Sequence, residues 1–448
     1  MNGILPEGHT LITDSGDRIT VGRLYGAGGQ GEVYQAKTPH GDRAVKWYYP
    51  AQATEMQRNI LEGLIGLRFT DSRFLWPQSV VSDPNALSGG FGYLMDVRPD
   101  RFKDLPALFR RDPSVSAVTQ RTLVIAALHT VEAYLALHGK GIAYRDINWG
   151  NIFFDPVTGD ILVCDNDNAV FESEAAGVAG TMDFMAPELV RGDKGVSPGT
   201  QTDLHSLAVL LFMLFMNHHP FQGALALKIR CLDEAAQRRL YGTRPVFVYD
   251  PANTTNRPVP GEQDTVIATW RTMPKKLQDL FVKTFTVGLT EPVERVRESQ
   301  WRGALSSVLD SSLICAVCGK FNLSQPGATA PTCWKCARPL DVPPCLTVLT
   351  GVGAVRHRTP VRLIRGGRIY GHHLISSPKR HDFTDVVGEV TEHPQHPGRF
   401  GLTNRTGTTW TTRRPDNTTQ TVPPGKTAAL RPGITIEFGG GTEGVVEA

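Results

Sequence analysis

Apolar and polar positions follow two different periods over residues 1–310. Short apolar or alternating runs predict β-strands at residues 19–24, 44–48, 92–97 and 161–164. Apolar positions three and four residues apart predict helices at residues 121–138, 202–216 and 274–286. Because the two kinds of element are interspersed, the pattern predicts a mixed α+β domain over this range.

The pattern changes after residue 310. Residues 311–345 are rich in Cys and Pro and show little helical periodicity. Residues 346–448 contain short strand-like runs between clusters of Gly, Pro, Asn and Asp, which predicts a β-sandwich. We therefore expect a multidomain α+β protein with domains at 1–310, 311–345 and 346–448.

Composition limits the class of protein. A chain of 448 residues can form two or three domains with separate cores, and 40% hydrophobic with 20% charged residues is typical of a soluble protein. The longest apolar run, residues 204–216, is too short to span a bilayer, and the first residues lack a signal-peptide pattern. We expect a cytoplasmic protein without a membrane partner.

Four of the seven cysteines form two C-x-x-C pairs with ribbon spacing, C-x₂-C-x₁₄-C-x₂-C. Four thiolates arranged in this way complete a tetrahedral zinc site, and two pairs at this spacing disfavour a redox motif. No general base is adjacent, so the predicted Zn²⁺ is structural. The predicted ligands are Cys315, Cys318, Cys333 and Cys336.

Positive charge is concentrated beyond the cysteines, although the net charge of the chain is only +3. Residues 342–381 contain no acidic residue and seven basic ones. The basic residues are Arg356, Arg358, Arg362, Arg365, Arg368, Lys379 and Arg380. An anionic partner or a solvated surface would both explain this stretch. A nucleic-acid-binding regulator that uses the zinc ribbon and this stretch is the weaker alternative, because the stretch lacks a series of interleaved aromatic residues.

A glycine-rich segment follows the strand predicted at residues 19–24. Gly26, Gly28, Gly31 and Val33 fit G-x-G-x-x-G-x-V. Glycines let a hairpin backbone approach phosphate groups without Cβ clashes, and the valine can cover a base ring. Lys46 lies 15 residues after Gly31, where a following strand would place its ammonium near the same phosphates.

A second set of polar residues surrounds two short apolar strands. Asp146 and Asn151 are five residues apart, and Asp165 follows the strand at 161–164. A carboxylate close to a substrate hydroxyl can act as general base. An amide oxygen together with a second carboxylate suits Mg²⁺. These residues thus offer the groups that a general base and a Mg²⁺ site need.

This order and spacing resembles the bacterial serine/threonine protein kinase family over about residues 15–308. The resemblance implies a bilobal fold, with an N-lobe at about 15–97 and a C-lobe at about 98–308. It implies ATP and Mg²⁺ as cofactors, protein hydroxyls as acceptors, and catalytic roles for Asp146 and Lys46, with Asp146 as the general base. It also implies that Asn151 and Asp165 are the Mg²⁺ ligands. Similar bacterial kinases often act beside a phosphatase and a von Willebrand factor A protein in stress signalling, so such partners are implied too.

Further residues match the family pattern. The resemblance implies that Arg295 pairs with Glu188 of Ala186-Pro187-Glu188, that Asp203 braces the catalytic loop, and that Thr181 contacts Asp146. Ser173 is a candidate regulatory phosphorylation site, although its acidic neighbours Glu172 and Glu174 could make a switch unnecessary.

Two departures favour an alternative, an ATP-binding pseudokinase scaffold. Asn148 replaces the lysine that steadies the γ-phosphate, and we expect Asn148→Lys to raise the transfer rate. Asp165-Asn166-Asp167 replaces D-F-G, and Asn166 is expected to lack the anchoring contacts of the phenylalanine. The helix residue that pairs with Lys46 is left open between Glu55, Gln57 and Glu62.

The last strands also resemble a known family. Residues 422–439 are similar to the closing strands of a forkhead-associated domain, with residues 402–408 as its ligand-edge loop. The resemblance implies a phosphopeptide partner for the C-terminal domain. No clear Arg and Ser pair for reading phosphothreonine accompanies it.

Overall fold

The structure is a computed structural model that describes residues 3–85, 90–171, 180–328, 331–351, 356–396 and 398–448. Two compact units are present. The first comprises Met1–Val118, Ala133–Gln263 and Val282–Arg297, and the second comprises Thr119–Glu132, Asp264–Phe281 and Glu298–Ala448. The second unit therefore groups three stretches of the predicted first domain with the C-terminal residues. The domain boundaries at 310 and 345 stay predictions.

The first unit begins with six antiparallel strands that close into a barrel in the order β1-β2-β3-β4-β6-β5. They are β1 (Thr10–Thr13), β2 (Arg18–Ala27), β3 (Gly31–Thr38), β4 (Gly41–Tyr48), β5 (Ser79–Ser82) and β6 (Phe91–Met95). Alternate residues such as Ile19, Val21 and Tyr34 are buried in the barrel core. This alternation is the pattern that predicts the strand at 19–24.

Helix α1 (Glu55–Gly66) follows β4. The hydroxyl of Thr54 accepts a hydrogen bond from the backbone N–H of Gln57 at 3.2 Å, which caps the helix. Leu61 and Leu64 are buried, so one apolar face of the helix is turned towards the interior of the first unit.

Further short strands and helices lie between residues 103 and 311. The strands are β7 (Lys103–Asp104), β8 (Ile142–Ala143), β9 (Ile152–Phe154), β10 (Ile161–Val163) and β11 (Val170–Phe171). The helices are α2 (Pro106–Arg110), α3 (Gln120–His138), α4 (Pro187–Arg191), α5 (Thr200–Met216), α6 (Glu234–Gln237), α7 (Asp264–Thr272), α8 (Lys275–Thr284), α9 (Val287–Thr290) and α10 (Glu298–Ser311). The predicted strands and helices lie within a few residues of β2, β4, β6, β10, α3, α5 and α8.

The second unit contains a short cysteine-rich hairpin and two larger antiparallel sheets. The hairpin pairs β12 (Leu313–Ile314) with β13 (Phe321–Asn322). The six-stranded sheet contains β14 (Cys345–Thr350), β15 (His357–Arg362), β19 (Trp410–Arg413), β20 (Thr419–Val422), β22 (Thr435–Gly439) and β23 (Thr442–Glu447). The four-stranded sheet contains β16 (Arg368–Tyr370), β17 (Val386–Glu392), β18 (Phe400–Asn404) and β21 (Thr427–Ala429).

The two larger sheets share one hydrophobic core. Leu346 and Trp410 of the six-stranded sheet and Val390 and Leu402 of the four-stranded sheet are buried in the same cluster. The C-terminal region is thus rich in β-structure, as predicted from its short runs. None of the helices in the described residues is long and apolar enough to cross a membrane.

Candidate active site

The glycine-rich segment is the hairpin between β2 and β3. Its turn is closed by a hydrogen bond from the N–H of Gly28 to the carbonyl of Gly31 at 2.8 Å. A Cβ at Gly31 would lie 2.1 Å from the carbonyl oxygen of Trp47, so the sheet itself excludes any side chain there. A Cβ at Gly26 would meet open space, and one at Gly28 would have only the carbonyl of Gly31, 4.0 Å away. These two positions therefore leave the turn accessible to a ligand.

Below the hairpin, apolar side chains form a surface suited to a flat ring. Val33 is half-buried against a cluster that includes Ala44 and Met95, with Phe153 and Cys164 also packed against it. Val33 is the register partner of Lys46 across β3 and β4. The predicted ring-covering residue and the predicted phosphate-binding lysine are thus neighbours.

The ammonium group of Lys46 lies among oxygen acceptors and is almost completely buried. It donates to Oδ2 and Oδ1 of Asp167 at 2.9 and 3.0 Å, and to Oε1 of Gln30 at 2.9 Å. Oδ1 of Asp165 is farther away, at 3.5 Å. Both acidic residues of the Asp165-Asn166-Asp167 triplet therefore face Lys46.

Asp167 has further donors. The hydroxyls of Tyr48 and Tyr93 donate to its carboxylate at 2.6 and 3.1 Å, and the side chain is fully buried. Burial by itself would raise the pKa of Asp167, but the charge of Lys46 and the hydrogen bond from Tyr48 outweigh it and hold that pKa below the usual value. For Asp165, whose side chain is only partly buried, the loss of solvent around the carboxylate and the nearby negative charge of Asp167 raise the pKa despite Lys46.

Helix α1 contributes an amide to this site. Nε2 of Gln57 donates to the backbone carbonyl of Asp167 at 3.0 Å and to the hydroxyl of Tyr48 at 3.2 Å. Glu62 faces Arg58 instead, at 3.7 Å. Among the three residues left open by the sequence, Gln57 is the one whose side chain reaches the triplet.

Asp146 and Asn151 are brought together on the loop between β8 and β9. Nδ2 of Asn151 donates to the Oδ2 and the backbone carbonyl of Asp146 at 3.2 and 3.0 Å. Oδ1 of Asp146 accepts from the backbone N–H and the hydroxyl of Thr181 at 3.0 and 2.9 Å. The contact between Thr181 and Asp146 is thus the one that the sequence predicts.

The backbone around this loop is held in unusual conformations. Arg145 and Asp165 are non-glycine residues with φ of 75° and 49°. Such positions cost free energy and are concentrated at functional sites. The buried carboxylate of Asp203 accepts the N–H groups of Tyr144 and Arg145 at 2.6 and 2.9 Å, which offsets the cost and fixes the loop, as expected for Asp203.

Asn148 is fully used in local structure. Its Oδ1 accepts the N–H of Gly150 at 2.7 Å, and its Nδ2 donates to the carbonyl of Asp146 and the hydroxyl of Thr181, each at 3.1 Å. A lysine cannot accept the bond from Gly150. We therefore expect Asn148→Lys to lower the transfer rate, which reverses the expectation drawn from the family pattern.

Asn166 does not replace the packing of the phenylalanine, but it is held in another way. Its side chain is completely buried, and Nδ2 donates to the carbonyls of Leu75 and Val163 at 2.9 and 3.0 Å. The triplet is thus anchored by hydrogen bonds rather than by an aromatic ring. Ser173, the candidate phosphorylation site, lies outside the described residues.

The four predicted zinc ligands form a separate cluster in the second unit. All four sulfur atoms lie within 4.8 Å of one another. Two Sγ–Sγ distances are 3.7 and 3.6 Å, close to the roughly 3.8 Å expected for tetrahedral thiolates around Zn²⁺. Gly319 and Ala337 follow the two pairs with φ of 68° and 56°, so both knuckles turn in the same way. The donor set fits Zn²⁺.

The fold of the first unit and the order of its polar residues are those of a protein kinase. A family model described as "Protein kinase domain" matches residues 19–287, which is more than half of the chain. The chain therefore belongs to the protein kinase domain family.

Similarity to individual kinases is partial. Protein kinase C delta type of Rattus norvegicus is 36% identical over 91 residues, which cover 19% of this chain and 13% of that protein. Serine/threonine-protein kinase PkaB of Streptomyces coelicolor is 24% identical over 223 residues, 46% of this chain and 51% of PkaB. Serine/threonine-protein kinase PknK of Mycobacterium bovis is 28% identical over 204 residues, 44% of this chain and 17% of PknK. The chain thus spans about half, or much less, of the length of these relatives.

Sequence reasoning missed Asp167. The signal in the sequence is a charged residue at the position that D-F-G gives to glycine. The sequence shows Asp167 only as a departure from D-F-G, because its partners Lys46, Tyr48 and Tyr93 lie on β4 and β6, far away in the chain.

Proposed function

We propose that this protein is an ATP-dependent serine/threonine protein kinase. The observation that carries the proposal is a pair of contacts within one unit, between Lys46 and Asp165 at 3.5 Å and between Asn151 and Asp146 at 3.2 Å. The same unit contains the hairpin whose glycines leave room for phosphates. Membership of the protein kinase domain family and the partial similarity to two bacterial serine/threonine kinases support it.

In the proposed reaction, a substrate hydroxyl oxygen attacks the γ-phosphorus of ATP while its proton passes to the carboxylate of Asp146. The bond between the γ-phosphorus and the bridging oxygen breaks, and ADP leaves with that oxygen. Thr181 and Asn151 hold the two oxygens of Asp146, so the carboxylate is oriented before the substrate binds.

Asn151 and Asp165 are the residues that would hold Mg²⁺. Nδ2 of Asn151 is occupied by Asp146, which leaves the amide oxygen for a cation. The Asp165 side chain is 47% exposed and can reach a bound ion, whereas that of Asp167 is 0% exposed. Mg²⁺ would neutralise charge on the phosphates. Lys46 supplies the protein's own positive charge at the same site.

The C-terminal region is proposed to regulate the kinase. Within the second unit, Nδ1 of His381 bonds the carboxylate of Glu132 at 2.6 Å, and the carbonyl of His381 bonds Nε2 of His129 at 3.0 Å. Nη2 of Arg121 donates to the hydroxyl of Tyr370 at 3.0 Å. Residues 121–132 belong to the kinase-family match, so the C-terminal sheets are bonded directly to a kinase helix. A His381→Ala variant with parental melting temperature and parental transfer rate would contradict this regulation.

Two further parts of the proposal concern ligands of the C-terminal region. Zn²⁺ is proposed to hold the four-cysteine cluster together. Phosphopeptide binding by a forkhead-associated-like β-sandwich stays a prediction. The side chain of Asn404 bonds Thr406 and Thr408, which shapes the predicted ligand-edge loop.

The basic stretch gives little support to a nucleic-acid reader, because several of its arginines are paired with carboxylates within the second unit. Arg358 pairs with Glu447 and Arg365 with Glu392, both at 2.9 Å, and Arg356 pairs with Glu443. Paired arginines release few counterions on binding a polyanion.

The test of the proposal is phosphate transfer with identification of the acceptor. The purified chain is incubated with γ-labelled ATP, Mg²⁺ and a mixed Ser/Thr/Tyr peptide pool, and the phosphoamino acids are analysed. Label on Ser or Thr supports the proposal. Nucleotide-dependent stabilisation without label on any residue would instead support the ATP-binding scaffold. A protein that shows neither label nor nucleotide-dependent stabilisation would refute both the kinase and the scaffold.

A further inference from the structure

We infer that Asp167 is the positioning residue that holds Lys46 for nucleotide binding, in place of a carboxylate on helix α1. The inference rests on the proposed kinase function and names an additional residue of the same site. It assigns separate tasks to the two acidic residues of the triplet: Asp167 orients the lysine, and Asp165 serves the metal ion.

The contacts of Asp167 are those of a fixed counter-ion. Both of its oxygens bond the ammonium of Lys46, and the hydroxyls of Tyr48 and Tyr93 add one donor to each oxygen. A buried carboxylate with four hydrogen bonds from three side chains has little freedom to move. Lys46 is therefore held by a group that is itself held by the barrel strands β4 and β6.

Helix α1 contributes no carboxylate to Lys46 within the described part of the chain. In protein kinases an ion pair between the strand lysine and a helix glutamate must form for activity. Here the residue of α1 that faces the site is Gln57, and its amide bonds the backbone carbonyl of Asp167 and the hydroxyl of Tyr48. Gln57 thus supports Asp167 without carrying the charge.

The two carboxylates of the triplet differ in access. The Asp165 side chain is 47% exposed, and its Oδ1 lies 3.5 Å from the ammonium of Lys46. The Asp167 side chain is 0% exposed and lies closer to Lys46, at 2.9 Å. When Asp165 turns towards a metal ion, Asp167 keeps the charge of Lys46 compensated. The position of the lysine therefore depends on the triplet and the barrel, and a shift of α1 would not break its ion pair.

The first experiment removes the charge of Asp167 and measures two properties. Asp167→Asn is expected to raise KM for ATP by about 10-fold or more and to lower kcat, because Lys46 loses its charge partner. Labelling of Lys46 by an acyl-phosphate derivative of ATP, followed by mass spectrometry, should slow by a similar factor. Glu62→Gln is the matched control, because Glu62 lies on helix α1 and faces Arg58. It should leave the KM for ATP and the labelling rate of Lys46 unchanged.

The second experiment relocates the charge. Asp167→Gly alone should be as impaired as Asp167→Asn, and the double variant Asp167→Gly/Gln57→Glu should recover at least half of the lost labelling rate, since the glutamate then faces Lys46 from α1. A residue with a merely structural role would not be rescued by a charge on another element. Thermal unfolding of the single and double variants, measured beside the labelling rate, distinguishes recovery through the relocated charge from recovery of folding.

The outcomes separate this inference from the proposed function. Efficient labelling of Lys46 in the parent, with unchanged labelling and KM in Asp167→Asn, would overturn the inference and leave the kinase proposal intact. A double variant as impaired as Asp167→Gly would also overturn it. If the parent is neither labelled nor able to transfer phosphate, the proposed function itself fails.

Discussion

Glu188 and Arg295 form a buried ion pair with two parallel hydrogen bonds, each 2.8 Å long, between residues 107 positions apart in the chain. The guanidinium also donates to the carbonyls of Gly288 and Gln201, each at 2.9 Å. The pair therefore joins the start of α4 to the segment after α9.

Breaking this pair should be strongly destabilising. Glu188→Gln leaves the buried charge of Arg295 without compensation, and we expect a loss of about 3–5 kcal/mol in the free energy of unfolding. Denaturant unfolding of the variant measures it. Glu294→Gln is the control, because Glu294 forms an exposed pair with Lys283 at 3.0 Å and its loss should cost less than about 1 kcal/mol. Equal losses in the two variants would contradict the prediction.

Asn148→Lys is expected to lower the rate of phosphate transfer. The substitution leaves the N–H of Gly150 without its acceptor and removes the amide that bonds the backbone carbonyl of Asp146 and the hydroxyl of Thr181. The loop that carries the base is then less firmly held. Loss of such buried bonds typically costs about 1–3 kcal/mol each, or roughly a 5- to 150-fold lower rate if the cost falls on the transition state. Steady-state kinetics with a peptide substrate measures it.

The matched variant for this position is Asn148→Asp, which keeps the acceptor for Gly150 but removes the amide donors. It should retain more of the loop's structure than Asn148→Lys. A rise in kcat for Asn148→Lys would show that a missing cation limits transfer and that the local bonds of Asn148 are dispensable.

Zinc removal should unfold the cysteine cluster first. Four thiolates are held within a few ångströms. Among the described residues, the small core around them contains Leu313, Leu340 and neighbouring Ile364 besides the cysteines. We expect one Zn²⁺ per chain by elemental analysis, and faster proteolysis within residues 311–345 after chelation. Cys318→Ser should bind less zinc, whereas Cys231→Ser, an exposed cysteine outside the cluster, should bind the parental amount. A folded protein without zinc would contradict the assignment.

Acid should destabilise the first unit through His219. Nε2 of this buried imidazole bonds the carbonyl of Asp183 at 2.8 Å, and Nδ1 accepts the N–H of Phe221 at 3.2 Å, so the ring must be neutral. Burial lowers the pKa of His219 from 6.5 to about 3. The unfolded chain therefore binds a proton that the folded chain excludes, and stability falls as the pH drops from 6.5 towards 3.

In unfolding experiments between pH 4 and 7, His219→Gln should lower the slope of the free energy of unfolding against pH by about 1.4 kcal/mol per pH unit. This change corresponds to the uptake of about one proton on unfolding. His40→Gln, at an exposed position, should leave the slope at the parental value. An unchanged slope in His219→Gln would show that another group accounts for the acid sensitivity.

Much of the fold and part of the site could be predicted because their signals are local. Strand alternation around Ile19 and the apolar face of α3 depend on neighbouring residues, and Asp146 and Asn151 are five positions apart. The roles of Asn148, Asn166 and Asp167 could not be predicted in the same way. Each depends on partners that only the folded chain brings close, such as Leu75 for Asn166 and Tyr93 for Asp167. The family pattern described these three positions as losses, whereas the structure gives each of them a set of hydrogen bonds.

The central claim is that Asp146 acts as the base of a phosphoryl transfer, and the most direct measurement is transfer from γ-labelled ATP by the parent and by Asp146→Asn. Because the base contacts the hydroxyl and not the nucleotide, the variant should bind ATP with parental affinity while its transfer rate falls by about 10²–10⁴-fold. Transfer at the parental rate by Asp146→Asn, with ATP binding intact in both proteins, would contradict the account.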